Sequence, residues 1–218
     1  MSIFNYLKDV FSEVSDISIQ SWACMIGLIA AALLLSRVFS KKKRINTRTL
    51  TYGSICIALS FILSYIKFYH WPQGGSITAG SMLPLIIFAF IFGPVPGILA
   101  GMVYGMLQLI QDPYILQIVQ VIFDYPLAFG AIGIAGYFKN NFTFAVIAAG
   151  LGRLLFAFLS GIFFFTSYAT AAGMNPLVYS IAVNGTNIGV EIIICLVISA
   201  VPQLRPAIAR IKHQALAN

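Results

Sequence analysis

The chain has 218 residues, of which 60% are hydrophobic and 9% charged, and its mean hydropathy is +0.92. An ordinary soluble domain carries roughly 25% charged residues to face water, so this composition excludes one and makes lipid the solvent. Basic residues number 13 and acidic ones 6, a formal charge of +7, which in a polytopic membrane protein reads as topology and not as affinity for nucleic acid.

A bilayer core takes about 20 apolar residues per helix, and candidate spans follow one another along the chain. Residues 1–20 carry Ile3, Leu7, Val10, Phe11 and Val14 at helical spacing, which is open to two readings: a helix lying along the outer surface or a disordered tail. The acidic Asp9, Glu13 and Asp16 in this stretch are the wrong charge for a signal peptide. A first span, from about Trp22 to Phe39, is followed by Lys41, Lys42, Lys43, Arg44 and Arg48, the densest basic cluster, which places that loop in the cytoplasm.

Six further spans are expected: Leu50 to Tyr69, Ser81 to Phe92, Gly97 to Ile110, Tyr114 to Phe138, Phe142 to Ala171 and Pro176 to Leu204. The two short ones flank the turn Gly93-Pro-Val-Pro-Gly97 and read as two complete helices more than as a re-entrant pair. Alternation puts Lys139, Arg205, Arg210 and Lys212 inside and the loops around residues 70–79, 111–113 and 170–175 outside. The N-terminus is then external and the C-terminus cytoplasmic, in a multi-pass protein of a bacterial cell membrane. The fold class is an all-α integral membrane protein: residues 1–48 with the extra transmembrane helix and basic loop, a six-helix bundle over 49–204, and a basic tail over 205–218.

Ionisable residues inside a bilayer are costly and mark functional sites. Three lie deep in the spans: Asp124, Arg153 and Glu191. Gln117, Gln120 and Asp124 share one helical face, and Ser180, Asn184, Asn187 and Glu191 share another, beside Tyr179. Tyr104 and Gln108 add a third polar face. Rise along the helices puts Asp124 and Asn184 about 12 to 15 Å below the outer surface, where they share a pocket open to the outside. Arg153 and Glu191 fall in the cytoplasmic half, where mutual neutralisation as a structural ion pair is expected and gating is the alternative.

Asp124 reads either as a carboxylate satisfied by its neighbours or as the partner of a ligand with N–H donors or positive charge. Tyr125 flanks it, and Tyr114, Phe165, Tyr168 and Tyr179 lie near the same outer end, where a ring or a cation finds π faces. Gly97, Gly101 and Gly105, with Gly130, Gly133 and Gly136, permit close helix approach, within the bundle or to a membrane partner.

Cys24, Cys56 and Cys195 each stand in an apolar run and give no disulfide framework. Without CxxC, and with His70 and His213 far apart, no metal site and no cofactor is expected. No histidine in the membrane supplies a catalytic base, and no GxxxxGK[ST] supplies a nucleotide site. A small-molecule binder or carrier remains, working alone or energised by a partner.

The segment from Trp71 to Pro84 containing Pro72-Gln-Gly-Gly-Ser76, the block Asp124-Tyr-Pro-Leu-Ala-Phe-Gly130, the Ser160-Gly161 pair and Tyr179-Ser-Ile-Ala-Val-Asn184 resemble, in order, the thiamine-specific S components of energy-coupling factor transporters. The resemblance runs over roughly residues 49 to 204. It implies a six-helix membrane protein that binds thiamine or a related small molecule from outside and associates with a transmembrane coupling subunit and two ATPase subunits. It assigns Asp124 to the aminopyrimidine, makes Tyr125, Tyr179 and Asn184 polar contacts, and puts Tyr114, Gln120, Phe165 and Trp71 at pocket positions. Residues 71–79 match an external lid, and Ser54 and Ala58 a helix face that docks onto the coupling subunit. Two departures fall near the thiazolium ring: Ala157 where the family usually has histidine, and Phe165 where it usually has tryptophan. They raise a second ligand reading, a pyrimidine precursor such as hydroxymethylpyrimidine.

Overall fold

The structure is a computed structural model that describes residues 46–71 and 74–216. The segment 1–20, the span Trp22 to Phe39 and the basic run 41–44 lie outside the described residues.

Helix α1 (Thr47–Ser64) starts where the Asn46 side chain accepts a hydrogen bond from the Thr49 amide. The sequence reading carried this span on to Tyr69, but the chain leaves the helix after Ser64 and forms an antiparallel hairpin, β1 (Lys67–His70) with β2 (Ser76–Thr78). The strand Lys67-Phe-Tyr-His70 is rich in aromatic residues and exposed along its whole length, so its apolar content reads as a continuation of the span. Gly75, at φ +87°, sits so close to the Asn187 amide that a Cβ there would lie 2.7 Å from its nitrogen. Only glycine suits both constraints.

Helix α2 (Leu83–Phe92) and helix α3 (Pro94–Gln111) meet at Gly93, whose φ of +100° makes the reversal in one residue. Two complete helices were expected. At 10 residues α2 is about 15 Å long, half of a bilayer core, and Leu85, Ile86, Phe88, Ala89 and Ile91 are buried on every side of it. It is a core element of the bundle, enclosed by the longer helices.

Helix α4 (Ile118–Tyr137) lies against α3 through the small residues. A Cβ on Gly101 would come within 2.2 Å of the Phe129 carbonyl oxygen, and one on Gly105 within 2.4 Å of that of Tyr125. The glycine stripe therefore serves packing inside the bundle. Helix α5 (Phe142–Phe164) breaks at Phe165 into the short α6 (Thr166–Ala171), where one unbroken span was expected. Helix α7 (Pro176–Ser199) begins with Asn175 as cap and Pro176 in the first turn.

The segment read as a tail is instead helix α8 (Leu204–Leu216), anchored by buried Ile208 and Ala215. Arg48 donates to the Gln214 carbonyl at 3.4 Å, and Lys212 to that of Lys139 at 3.3 Å. The cationic residues of α1, α5's approach and α8 thus gather at one end of the bundle. Helices α3, α4, α5 and α7 are long and apolar enough to cross a membrane. Exposed Leu99, Val103 and Ile110 on α3, Leu151 and Leu155 on α5 and Ile193 and Val197 on α7 give them lipid-facing sides. The protein is a multi-pass, all-helical membrane protein with one small hairpin.

Candidate functional site

Two of the long helices are locally widened to π geometry, α4 over Phe123–Leu127 and α7 over Ile181–Gly185. Pro126 accounts for the first, since it has no amide to donate to the carbonyl one turn back. Such insertions reorient side chains and recur at functional sites. Here the widened turns carry Asp124, Tyr125 and Asn184. All three line a cavity whose empty volume, open mouth included, is about 1020 Å³.

Asp124 is held by Gln120, whose Nε2 donates to Oδ2 at 2.5 Å. Gln120 is 1% exposed and also ties down the irregular segment that precedes α4: its Nε2 donates to the Tyr114 carbonyl and its Oε1 accepts from the Leu116 amide. Tyr125 does similar work, its hydroxyl donating to the Asp112 carbonyl and accepting from the Tyr114 amide, both at 2.9 Å. These contacts fix Tyr114, whose ring stacks on Phe165 at 5.9 Å and 17° and whose hydroxyl bonds to that of Tyr168.

On the opposite wall Asn184 donates from Nδ2 to the Ala157 carbonyl at 3.1 Å and to Ser180 Oγ at 3.2 Å. Ser180 in turn donates to the Phe158 carbonyl and fits against Gly161, where a Cβ would clash with it at 2.2 Å. Ser180 is thus a packing residue between α5 and α7. Tyr179, Asn187 and Gln108 line the cavity with Asn184.

Arg153 and Glu191 pair at 2.6 Å, as their sequence positions suggested, but their location differs from the expected one. They line the same cavity as Asp124 and Asn184. The hairpin also descends to meet them: Thr78 Oγ1 and Ser81 Oγ donate to Glu191 Oε1 at 2.6 and 2.9 Å. The Arg153 guanidinium lies 4.4 Å from the centre of the Phe129 ring.

The cavity lining includes Asp124, Tyr125, Tyr114, Gln120, Phe165, Tyr179 and Asn184 and leaves out Trp71. Trp71 is drawn away because its amide donates to the Gly75 carbonyl and its carbonyl accepts from Gly74, turning the indole onto the Tyr69 ring at 5.0 Å. Gln117 only precedes α4, and Tyr104 is wholly buried beneath the site, its hydroxyl 3.4 Å from the Ser60 carbonyl oxygen. Ser54 and Ala58 are exposed on α1, away from the cavity. Sequence reasoning missed Thr78 and Ser81, and the rim pair Lys67–Asp112 at 2.6 Å. A hydroxyl pair three residues apart beside a glycine was the available signal for the first.

Three carboxylates, Asp112, Asp124 and Glu191, and two cations, Lys67 and Arg153, line this space, so its formal charge is one negative. With aromatic faces at the mouth and hydrogen-bonding groups on the walls, the arrangement suits a flat, singly cationic organic molecule.

The chain is similar to known proteins. The chain is 29% identical to the thiamine transporter ThiT of Bacillus subtilis over 164 residues, 66% of this chain and 84% of that protein. It is 29% identical to ThiT of Lacticaseibacillus paracasei over 152 residues, 61% of this chain and 75% of that one. A solved structure of ThiT from Listeria monocytogenes matches with a TM-score of 0.64 at 25% identity, covering 73% of this chain and 96% of that chain. The family described as Thiamine transporter protein (Thia_YuaJ) matches residues 50–209. That stretch holds both π turns, the hairpin and every cavity residue, and the chain belongs to the thiamine transporter protein family.

Proposed function

We propose that this protein is the thiamine-binding S component of a vitamin uptake transporter, capturing its ligand at the cavity mouth and relying on partner subunits for energy. The observation that carries this is the Asp124 carboxylate, oriented by Gln120 inside a cavity of net negative charge. A carboxylate fixed in that way accepts hydrogen bonds from an aminopyrimidine. The Tyr114–Phe165 stack offers its faces to a thiazolium ring.

The cavity mouth, with the hairpin and Tyr168, faces outside in this reading, and the basic end with Arg48, Lys139 and α8 faces the cytoplasm. The partners are a transmembrane coupling subunit, met by the α1 face of Ser54 and Ala58, and two ATPases. Uptake in cells lacking the coupling subunit separates this from a self-sufficient carrier, for it then falls to background.

One observation favours a pyrimidine precursor as second reading. Ala157 lines the cavity with a methyl group, and its carbonyl is taken by Asn184. The thiazolium side therefore offers aromatic faces without a polar side chain from that position. Calorimetry on the purified chain with thiamine, hydroxymethylpyrimidine and the thiazole half decides. Thiamine binding far tighter than either half supports the first reading, tight binding of the pyrimidine alone supports the second, and binding of none overturns both.

A further inference from the structure

The end of the bundle opposite the thiamine cavity has a second concavity. Arg205, Ile208, Ala209 and Lys212 stand on one face of α8, and with Phe90 and residues 140–144 they line a space of about 1070 Å³, open mouth included. A surface helix ordinarily turns apolar residues inward and cations to water. Helix α8 does this with Ile208, which is buried, and Arg210, which is exposed, while Arg205, exposed, and Lys212, half-buried, border the concavity.

Among the described residues nothing negative answers these charges. The described acidic residues, Asp112, Asp124 and Glu191, all line the other cavity. Arg205 has no ion-pair or hydrogen-bond partner among the described residues. Lys212 lies 5.0 Å from the centre of the Phe90 ring and reaches only a backbone carbonyl. The first turn of α5 opens into the same space, with Asn141 capping the Phe144 amide through Oδ1 at 3.2 Å and so keeping its own NH₂ as a donor. An apolar strip continues outward from the cavity: Phe144, Leu151 and Leu155 are exposed along one side of α5.

We propose that this cavity binds the phosphodiester headgroup of an anionic phospholipid, with Arg205 and Lys212 on the phosphate and an acyl chain along Phe144 and Leu151. Two uncompensated cations beside donor groups recognise a phosphate. The adjoining lipid-facing strip distinguishes a phospholipid from a free anion. A zwitterionic lipid brings its own ammonium and gains less. This inference is independent of the thiamine reading.

The test uses the full chain, purified and delipidated in detergent, with dioleoylphosphatidylglycerol, dioleoylphosphatidylcholine and glycerol 1-phosphate as probes. Native mass spectrometry reads retention and thermal unfolding reads stabilisation. Phosphatidylglycerol is expected to be retained at least fivefold over phosphatidylcholine. Arg205→Gln and Lys212→Gln should each cut that retention severalfold, whereas Arg205→Lys keeps most of it. Arg210→Gln, the same charge loss on the outward face of the same helix, leaves it unchanged. Equal retention of the two lipids, or an equal loss in Arg210→Gln, overturns the site. Stabilisation by glycerol 1-phosphate as strong as that by the lipid overturns the phospholipid assignment in favour of a free anion.

Discussion

Arg153 on α5 and Glu191 on α7 meet at 2.6 Å, and the same carboxylate fastens the hairpin, because its other oxygen accepts from Thr78 and Ser81. One buried pair therefore joins two helices to the element that covers the cavity. Removing a single partner leaves an uncompensated buried charge, which costs about 3–5 kcal/mol. Glu191→Ala is expected to destabilise the protein by that amount in a denaturation series. The double change Arg153→Leu with Glu191→Leu should recover most of the loss, since a well-packed apolar pair replaces a buried ion pair at little cost. Thr78 and Ser81 still lack their acceptor in the double variant. Its thiamine dissociation rate should then exceed that of the parent severalfold at equal stability, and an unchanged rate would sink the role of Glu191 in holding the hairpin.

Asp124 gives the most direct test of ligand chemistry. Asp124→Asn keeps the shape and the contact with Gln120 but loses the charge and one acceptor. A hydrogen bond to a charged group is worth about 1.5–3 kcal/mol, so thiamine affinity should fall roughly 10- to 150-fold. The hydroxymethylpyrimidine half should lose a similar factor and the thiazole half almost none. Calorimetry on the three ligands checks this, and a loss below twofold for thiamine removes Asp124 from the recognition.

Phe165 tests the opposite half. Its ring is stacked with Tyr114 and offers a cation a weaker face than an indole would. Phe165→Trp is expected to tighten thiamine by about 0.5–1 kcal/mol, two- to fivefold, and to leave the pyrimidine half unaffected. Equal gains for both would mean that the substitution reshapes the cavity as a whole.

The sequence held most of the bundle, because apolar length and positive charge are sufficient to mark spans and their ends. It also held the pair Arg153–Glu191, since two opposite charges buried in a bilayer have few other partners. What it hid were departures from regular helical rise. Pro126 signals a disturbance but not a π turn, and helical spacing alone did not show that Asp124 and Glu191 line one cavity. Residues 205–218 read as a tail because the cations there masked a short apolar face at Ile208 and Ala215 on the helix Leu204–Leu216. Trp71 could not be positioned from its motif, since its direction depends on backbone hydrogen bonds within the hairpin.

The glycines separate packing from permissiveness. Gly101→Ala drives a methyl group into the Phe129 carbonyl, 2.2 Å away, and backbone cannot step aside as a side chain does. The expected cost is about 1–3 kcal/mol of overpacking. Gly189 lies in α7 with nothing within 4 Å of a Cβ, so Gly189→Ala should be neutral or slightly stabilising. Thermal unfolding of the two variants side by side checks the contrast, and equal stability would mean that α3 and α4 are farther apart than this packing requires.

The partner face on α1 makes the last prediction. Ser54 and Ala58 are exposed and one turn apart, flanked by exposed Leu50, Ile55 and Ile62. Small residues there let another helix come close, and neither residue borders the cavity. Ala58→Trp therefore adds bulk at the proposed docking face without touching a ligand contact. Thiamine affinity of the purified variant should match the parent within a factor of two, while thiamine uptake in cells carrying the coupling subunit and ATPases drops at least tenfold. Ile193→Trp, on the exposed side of α7, supplies the control for added bulk at a lipid-facing position and should transport normally. If Ala58→Trp transports as well as Ile193→Trp, α1 is not the docking helix; if both fail, the effect is one of membrane insertion and the assignment of Ser54 and Ala58 falls with it.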